Sequence, residues 1–436
     1  MIGKEEFNRL PVSGEYDVVV VGGGPAGFSA GFAASARGMK TLIVEQFNSL
    51  GGVGGAGGHG CLARFEPWKQ QERIVGGMVW EATQRMVRAG GANIEIGHAV
   101  FFDVETFKKV LEEMAEHYGC GLLYYTQFTD VFVENGKIAG LVIQNKSGRS
   151  VIKAKIYVDA SGDADVAASA GAPFEYGDEN GICQPMTLMF TIGGVDWPRV
   201  CEFRKGYSAK LTEIWKIAQE NGDMRPFQKE IMGWWHTDTR PDQLGVNFTH
   251  INFVSSLKAE DLTAATLEGR KQVYETIEVY RKYIPGMENC YLLSTPATVG
   301  IRESRRIIGR YVLTVEDVKG MREFPDSIGY GSSFIDVHGK HGPGMASETW
   351  YPPAGFKYQL PYRILLPQKI DNLLVAGRCV SVTHEALGSV RFIVQCAVTG
   401  EAAGTAAALA AEDHVPPAQV DYGKLRAALT DRGCIV

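Results

Sequence analysis

The chain is poor in the features that several protein classes require. Its 8 cysteines (Cys61, Cys120, Cys183, Cys201, Cys290, Cys379, Cys396 and Cys434) are scattered with no C-x-x-C pair. The ligand spacing of a structural zinc or an iron–sulfur cluster is therefore missing, and free thiols with no metal site are expected. Lys and Arg total 44 against 50 Asp and Glu, a net charge of −6. No whole-chain basic field exists to grip a phosphate backbone, so nucleic acid is not expected as a partner. No apolar run of about 18 residues occurs, and MIGKEEFNRLPVSGEY opens with acids and a proline where a signal peptide needs apolar residues. A cytoplasmic protein without membrane insertion is the expectation. Hydrophobic residues at 45% and charged residues at 22% exclude a disordered or fibrous chain.

Glycine is abundant: 52 of 436 residues, about 12%, against roughly 7% in average proteins. The glycines cluster. Asp17 to Val21 (DVVVV) is a β-branched run suited to a strand buried on both faces, and GGGPAG follows it. Pro25 fits the first position of a helix that runs in small residues to Gly38, and Lys40 to Val44 gives a second strand ending at Glu45. Gly22, Gly24 and Gly27 form G-x-G-x-x-G between that strand and that helix. The first glycine makes the turn, the second admits a pyrophosphate to the backbone, and the third lets helix and strand touch. Glu45 stands where a carboxylate accepts from both adenosine ribose hydroxyls, which favours a dinucleotide without a 2′-phosphate. A second glycine-rich stretch, Gly51 to Gly60, has almost no side chains to bury; it is either a flexible linker or a backbone wall against a flat ring system.

Val104 to Tyr118 has helical spacing, Asn135-Gly136 is a two-residue hairpin signal, and Lys146 to Arg149 is a further turn. Ile156 to Asp159 reads as a buried strand leading into the turn Ser161-Gly162-Asp163. Amphipathic segments (Trp197 to Asn221, Glu268 to Tyr283) and aromatic strands then replace this pattern until about Tyr351. Apolar sheet pattern returns from Phe356, with Leu373 to Ala376, Gly377-Arg378 and an Ala/Gly-rich helix from about Ser389 to Glu412. The fold class is thus α/β: a parallel sheet with a β insertion, residues 1–173 and 356–436, interrupted by an inserted α+β substrate domain, 174–355.

DVVVVGGGPAG with Glu45, DASGDADVAASAGAP, GIRESRRIIGRYVLTVEDV and NLLVAGRCVSVTHEALGSVRFIVQCAVTGEAAGTAAALA occur in that order. Together they resemble the bacterial FAD-dependent oxidoreductase family, with its glutathione-reductase-type, Rossmann-like FAD fold, and more distantly the succinate dehydrogenase and fumarate reductase flavoproteins. The resemblance implies FAD, with Gly22, Gly24, Pro25, Ala26 and Gly27 at the pyrophosphate and Glu45 at the ribose. It implies Gly51 and Gly52 near the flavin and Val131 meeting the adenine through its backbone. Ser161, Gly162, Gly377 and Arg378 complete the cradle, though related flavoproteins often have an acid where Arg378 stands. Leu387, Gly388 and Ser389 would begin a last helix aimed at flavin N1 and O2, where reduction gathers negative charge. Glycine near Gly52 replaces the histidine that can carry flavin covalently in the succinate dehydrogenase type, so noncovalent FAD is implied, with His59 the less favoured attachment point.

For catalysis the candidates are His338 in FIDVHGKHG, His384 in THEALGS, and His59 in the glycine stretch, because imidazoles manage protons near neutrality. The cluster Arg302, Glu303, Arg305, Arg306 is either an ion-pair network joining the domains or, as the resemblance to the fumarate reductase type implies, the source of an arginine, taken as Arg302, that clamps a substrate carboxylate or donates a proton. His98, His117, His236, His250 and His341 read as ordinary, and Trp234-Trp235 as core or pocket lining. The function so implied is hydride transfer between flavin N5 and a small organic substrate, as dehydrogenase or reductase. No second G-x-G-x-x-G follows a strand, so an unknown electron acceptor or donor is needed. Self-association into a homo-oligomer is compatible with this reading. The alternatives are an electron-transfer subunit of a larger complex and an FAD-dependent RNA-modifying enzyme.

Overall fold

The computed structural model describes residues 1–95, 99–205, 207–228 and 233–436; His98 lies outside the described residues. Val12–Val21 is the central strand of the main sheet. It runs parallel to Thr41–Val44 on one side and to Gly148–Asp159 on the other, with Val18–Val21 in register with both. Gly121–Leu123 extends the first side and Leu373–Val375 the second, again in parallel. Val18, Val19 and Val20 are fully buried, which explains a continuous β-branched run in place of an alternating one. Parallel neighbours need crossovers, and the helix Pro25–Ala36 is the first of them.

Gly148–Asp159 serves two partners along its length. Its second half belongs to the parallel sheet, while its first half pairs antiparallel with Lys137–Asn145, which pairs in turn with Gln127–Glu134. Asn135 and Gly136 join those two strands with φ of 53° and 74°, the two positive angles that a type I′ turn demands. The long helix Ile393–Asp413 packs on Pro25–Ala36 through Gly400 and Gly404, where a Cβ would stand 2.1 Å from the Ala26 carbonyl oxygen and 2.0 Å from that of Ala30. This helix is long and apolar enough to cross a membrane, yet 94% of its apolar window is buried inside the fold.

A second core surrounds a four-stranded antiparallel sheet made of Trp234–Trp235, Leu244–Val246, Phe190–Gly193 and Tyr291–Ser294, in that order. Helices Trp197–Arg204 and Ala259–Tyr283 cover it, with Tyr207–Glu220 between them in the chain. This core extends from Met186 to Val299, a narrower stretch than 174–355. Leu313, Val318, Phe324, Ile328, Ile335 and Val337 already belong to the first core, because Ser327–Gly331 pairs with Tyr358–Pro361 there. Amphipathic pattern marks a residue as buried without saying in which core.

Candidate functional site

One cavity of about 800 Å³ opens between the parallel sheet and the second core. At one end its wall is main chain. Gly22, Gly24, Pro25 and Ala26 line it where the central strand turns into Pro25–Ala36, and Gly52, Ser161, Gly162 and Gly377 stand opposite or beside them. Gly27 supports this turn from behind: a Cβ there would fall 1.7 Å from the Gly22 carbonyl oxygen. The second glycine stretch is a wall and no linker, since a Cβ on Gly52 would meet the Gly24 Cα at 2.8 Å. Gly51 takes φ of 94° to make that approach but does not itself line the cavity.

Two helix N-termini open onto the cavity. Gly24 caps Pro25–Ala36 and Phe392 caps Ile393–Asp413, neither with a side-chain hydrogen bond, and residues 391–393 line the cavity. Their free N–H groups and positive dipole ends suit an anion. Glu45, 5% exposed, accepts from Gly23 N–H at 2.6 Å and Phe47 N–H at 2.8 Å, while burial pushes its carboxyl upward. Arg378 Nη2 donates to Asp163 Oδ1 at 3.0 Å, and its Nη1, shielded from solvent, has no partner among the described residues. An orphaned guanidinium nitrogen, the uncapped start of Pro25–Ala36 and a glycine cradle fit a diphosphate-bearing dinucleotide.

Two expected cofactor contacts are corrected. Val131 lies outside the cavity: its carbonyl accepts from Ile2 N–H at 3.1 Å, and Thr126, Gln127 and Phe128, at the start of the same strand, line the cavity instead. Leu387, Gly388 and Ser389 are buried inside a separate short helix, His384–Val390. Ser389 Oγ is 2.6 Å from the Ser333 carbonyl and 2.8 Å from Tyr358 Oη. The chain breaks at Phe392 (φ −63°, ψ 151°), so the helix start facing the cavity is Ile393.

The other end of the cavity is built from side chains. His59, Arg302, Asp336, His338 and Arg391 line it, with Thr187, Met189 and Asn247 from the second core. Asp336 is the hub: Oδ2 accepts from Arg391 Nη2 at 2.7 Å, and Oδ1 lies 3.3 Å from His338 Nε2. That contact favours the His338 proton on Nε2 and leaves Nδ1, which has no partner among the described residues, as the bare nitrogen. Burial lowers His338 to about 4, with the Arg302 charge acting in the same direction and Asp336 opposing. Burial and Arg302 likewise lower His59 to about 4; its ring stands edge-on to Trp235 at 5.1 Å. Burial alone would raise the Asp336 carboxyl, but His338, Arg391 and Arg302 hold it well below the usual carboxylate range. Burial, then Arg391, brings Arg302 down to about 9.

The arginine-rich cluster divides. Glu303 and Arg306 are the buried network: Arg306 Nη1 meets Glu303 Oε1 at 2.5 Å and Gln184 N–H donates to Oε2 at 3.0 Å. His384 joins them, with Nδ1 2.7 Å from Glu303 Oε1. It is not part of the cavity wall, which corrects its candidacy as a group that touches substrate. Arg305 lines the cavity beside Asp165. Arg302 reaches the cavity with one hydrogen bond, to the Pro185 carbonyl at 2.7 Å. Trp234 is core, donating to Tyr280 Oη at 2.7 Å. Asp336 and Arg391 escaped sequence reasoning, although Asp-x-His in an extended segment puts both side chains on one face.

Fold and cavity define an α/β protein with a dinucleotide-binding cradle. The family of FAD-dependent oxidoreductases matches residues 17–429, and the chain belongs to that family. It is an enzyme, and FAD is its cofactor. Among similar proteins, thiamine thiazole synthase of Methanococcus aeolicus is 32% identical over 36% of this chain and 58% of its own length. Digeranylgeranylglycerophospholipid reductase of Methanocella arvoryzae is 29% identical over 34% of this chain and 39% of its own. The chain thus spans less than two thirds of either relative. A geranylgeranyl bacteriochlorophyll reductase-like protein of Thermoplasma acidophilum, of known crystal structure, is 16% identical, covers 95% of this chain and 82% of its own, and gives a TM-score of 0.48.

Proposed function

We propose that this enzyme holds FAD noncovalently and transfers a hydride between the flavin and a small organic substrate seated against His59, Arg302 and His338. The observation that carries this reading is the continuity of the cavity: the diphosphate cradle and the histidine–arginine wall line a single space. When bound, FAD supplies hydride acceptance or donation at the flavin N5. Gly22, Gly24, Pro25 and Ala26 would hold its diphosphate with Arg378, and Glu45 its ribose. The open start of Ile393–Asp413 supplies N–H groups where negative charge gathers. His338 is the group that takes up or returns the substrate proton at Nδ1, oriented by Asp336 and neutral at working pH. Electrons enter or leave through a separate small molecule or protein.

The relatives carry two different activities in their names, so they do not choose a substrate. Anaerobic mixing of the purified holoenzyme with alcohols, amines, hydroxy acids and enoates, the last after prior reduction, tests the reading. Bleaching or recovery of the flavin band with at least one class is expected; a colourless protein, or flavin that stays attached after acid precipitation, contradicts it.

A further inference from the structure

The segment that carries His338 is rich in glycine. Residues 338–344 read HGKHGPG, and the main chain doubles back there: Gly344 takes φ of 82° and its carbonyl accepts from Gly339 N–H at 2.8 Å. Lys340 Nζ reaches Asp178 Oδ2 at 2.7 Å. The His338 ring meets Asp336 Oδ1 at 3.3 Å, a partner from its own segment. A group that exchanges a proton at one atom must be held to within about half an ångström. A glycine-rich turn that supports itself does not supply that precision.

Support comes from the second core. His250, 4% exposed, is not part of the cavity wall; it lines a separate pocket of about 280 Å³ with Asn252, Glu268 and Gln272. Its Nε2 lies 3.0 Å from the Gly339 carbonyl, in the peptide that follows His338, and the two imidazole rings are 5.9 Å apart. A carbonyl only accepts, so Nε2 carries the proton. His250 is itself clamped at its backbone: its N–H donates to Gln272 Oε1 at 2.8 Å and its carbonyl accepts from Gln272 Nε2 at 3.1 Å. Gln272, 3% exposed, belongs to Ala259–Tyr283 and also donates to Glu268 Oε1 at 3.0 Å. Burying an amide and an imidazole costs desolvation that an apolar pair of the same size would not. Here both spend their polar atoms on a path from that helix to the residue beside His338.

We infer that His250 is a positioning residue: by holding the Gly339 peptide it sets the His338 imidazole in the cavity wall. This rests on the proposed function, which gives His338 the substrate proton. The charged and titratable groups around His338 are Asp336, Arg302, Arg391, His59 and His250; around His250 they are His338, Arg302 and, beyond Gln272, Glu268. Burial is the largest influence on both rings and lowers each to about 4, so both are neutral near pH 7. Releasing the Gly339 peptide lets water reach His338, and its titration then moves up toward the ordinary histidine range.

The test is an imidazole NMR titration of FAD-loaded enzyme labelled at histidine with nitrogen-15. His250→Phe fills the space without an N–H donor, and the His338 midpoint should rise by about one pH unit or more. His250→Gln keeps a donor and should stay close to wild type, and the surface change His117→Gln should have no effect. In His250→Ala, added imidazole entering through the pocket beside residue 250 should return His338 toward its wild-type midpoint. An unmoved His338 in His250→Phe overturns the inference, as does an equal displacement in His250→Phe and His250→Gln, which would mean packing alone. Should the variants not fold, the wild-type spectrum decides: His250 must carry its proton on Nε2, and the Nδ1–H form overturns the inference. These spectra report ring positions without turnover. Protein purified without flavin, or flavin that no substrate class bleaches or restores, would contradict the proposed function instead.

Discussion

Where the Gly22–Gly27 turn lies the cavity wall is main chain, and where His338 lies it is side chain. The first end depends on glycines and the uncapped start of Pro25–Ala36, with Glu45 and Arg378 as charged contributors. The second is assembled from His59, Arg302, Asp336, His338 and Arg391, contributed by distant parts of the chain. A backbone cradle recognises what every bound copy of a cofactor shares, a diphosphate, and tolerates almost no added atom. A side-chain wall recognises what differs between substrates and can change residue by residue without disturbing the fold. Substitutions at the first end should therefore empty the enzyme of flavin, and those at the second should leave it loaded but altered.

The largest effect is expected from Gly27→Ala. A methyl group placed 1.7 Å from the Gly22 carbonyl oxygen cannot be accommodated without moving the turn. We expect flavin-to-protein absorbance to fall on the order of tenfold or more, with a lower Tm. Arg378→Met comes next. Asp163 keeps its hydrogen bond from Ser256, so the fold survives, while loss of a charge-assisted contact of about 1.5–3 kcal/mol weakens FAD roughly 10- to 100-fold, measured by flavin fluorescence on dilution. Glu45→Ala removes an acceptor from Gly23 and Phe47 as well as from the ribose; roughly tenfold weaker retention is expected. Full flavin content after gel filtration of either variant would break the contrast between the two ends.

Legibility in the sequence follows the same division. Asp17 to Val21, the glycine turn, the helix after it and Glu45 were readable because strand, turn, helix and acid are consecutive and each is set by its own residues. Asn135-Gly136 was readable for the same reason. The break at Phe392 was not: no proline or glycine marks it, and Ala/Gly-rich composition continues across it, so Ser389 looked like a helix start when it is the interior of another helix. Val131 was misplaced because periodicity says which residues of a strand are buried without saying which end reaches the cavity. In the segment 302–306, composition could not separate Arg302 and Arg305, which face the cavity, from Arg306, which is locked to Glu303. Only the positions of Asp165, Glu303 and Asp336 in three dimensions decide that.

The smallest effect sharpens the contrast from the other end. Asp336→Asn lies outside the diphosphate cradle, so flavin content should change less than in the variants above. Its consequence falls on His338, whose imidazole is lowered to about 4 by burial and Arg302 against the opposing pull of the Asp336 carboxylate. Removing that carboxylate takes away the influence that favours the charged ring, so the imidazole should titrate lower still. An imidazole NMR titration would show the His338 ring protons moving near pH 4 in the wild type and at lower pH in the variant. As a base, His338 must be neutral. The acid limb of any pH–rate profile that reports it should therefore lie near pH 4, well below the ordinary histidine range, and the variant should shift that limb downward. An upward shift would mean that Asp336 does not face a protonatable His338, and the side-chain end of the cavity would lose its proton-handling group.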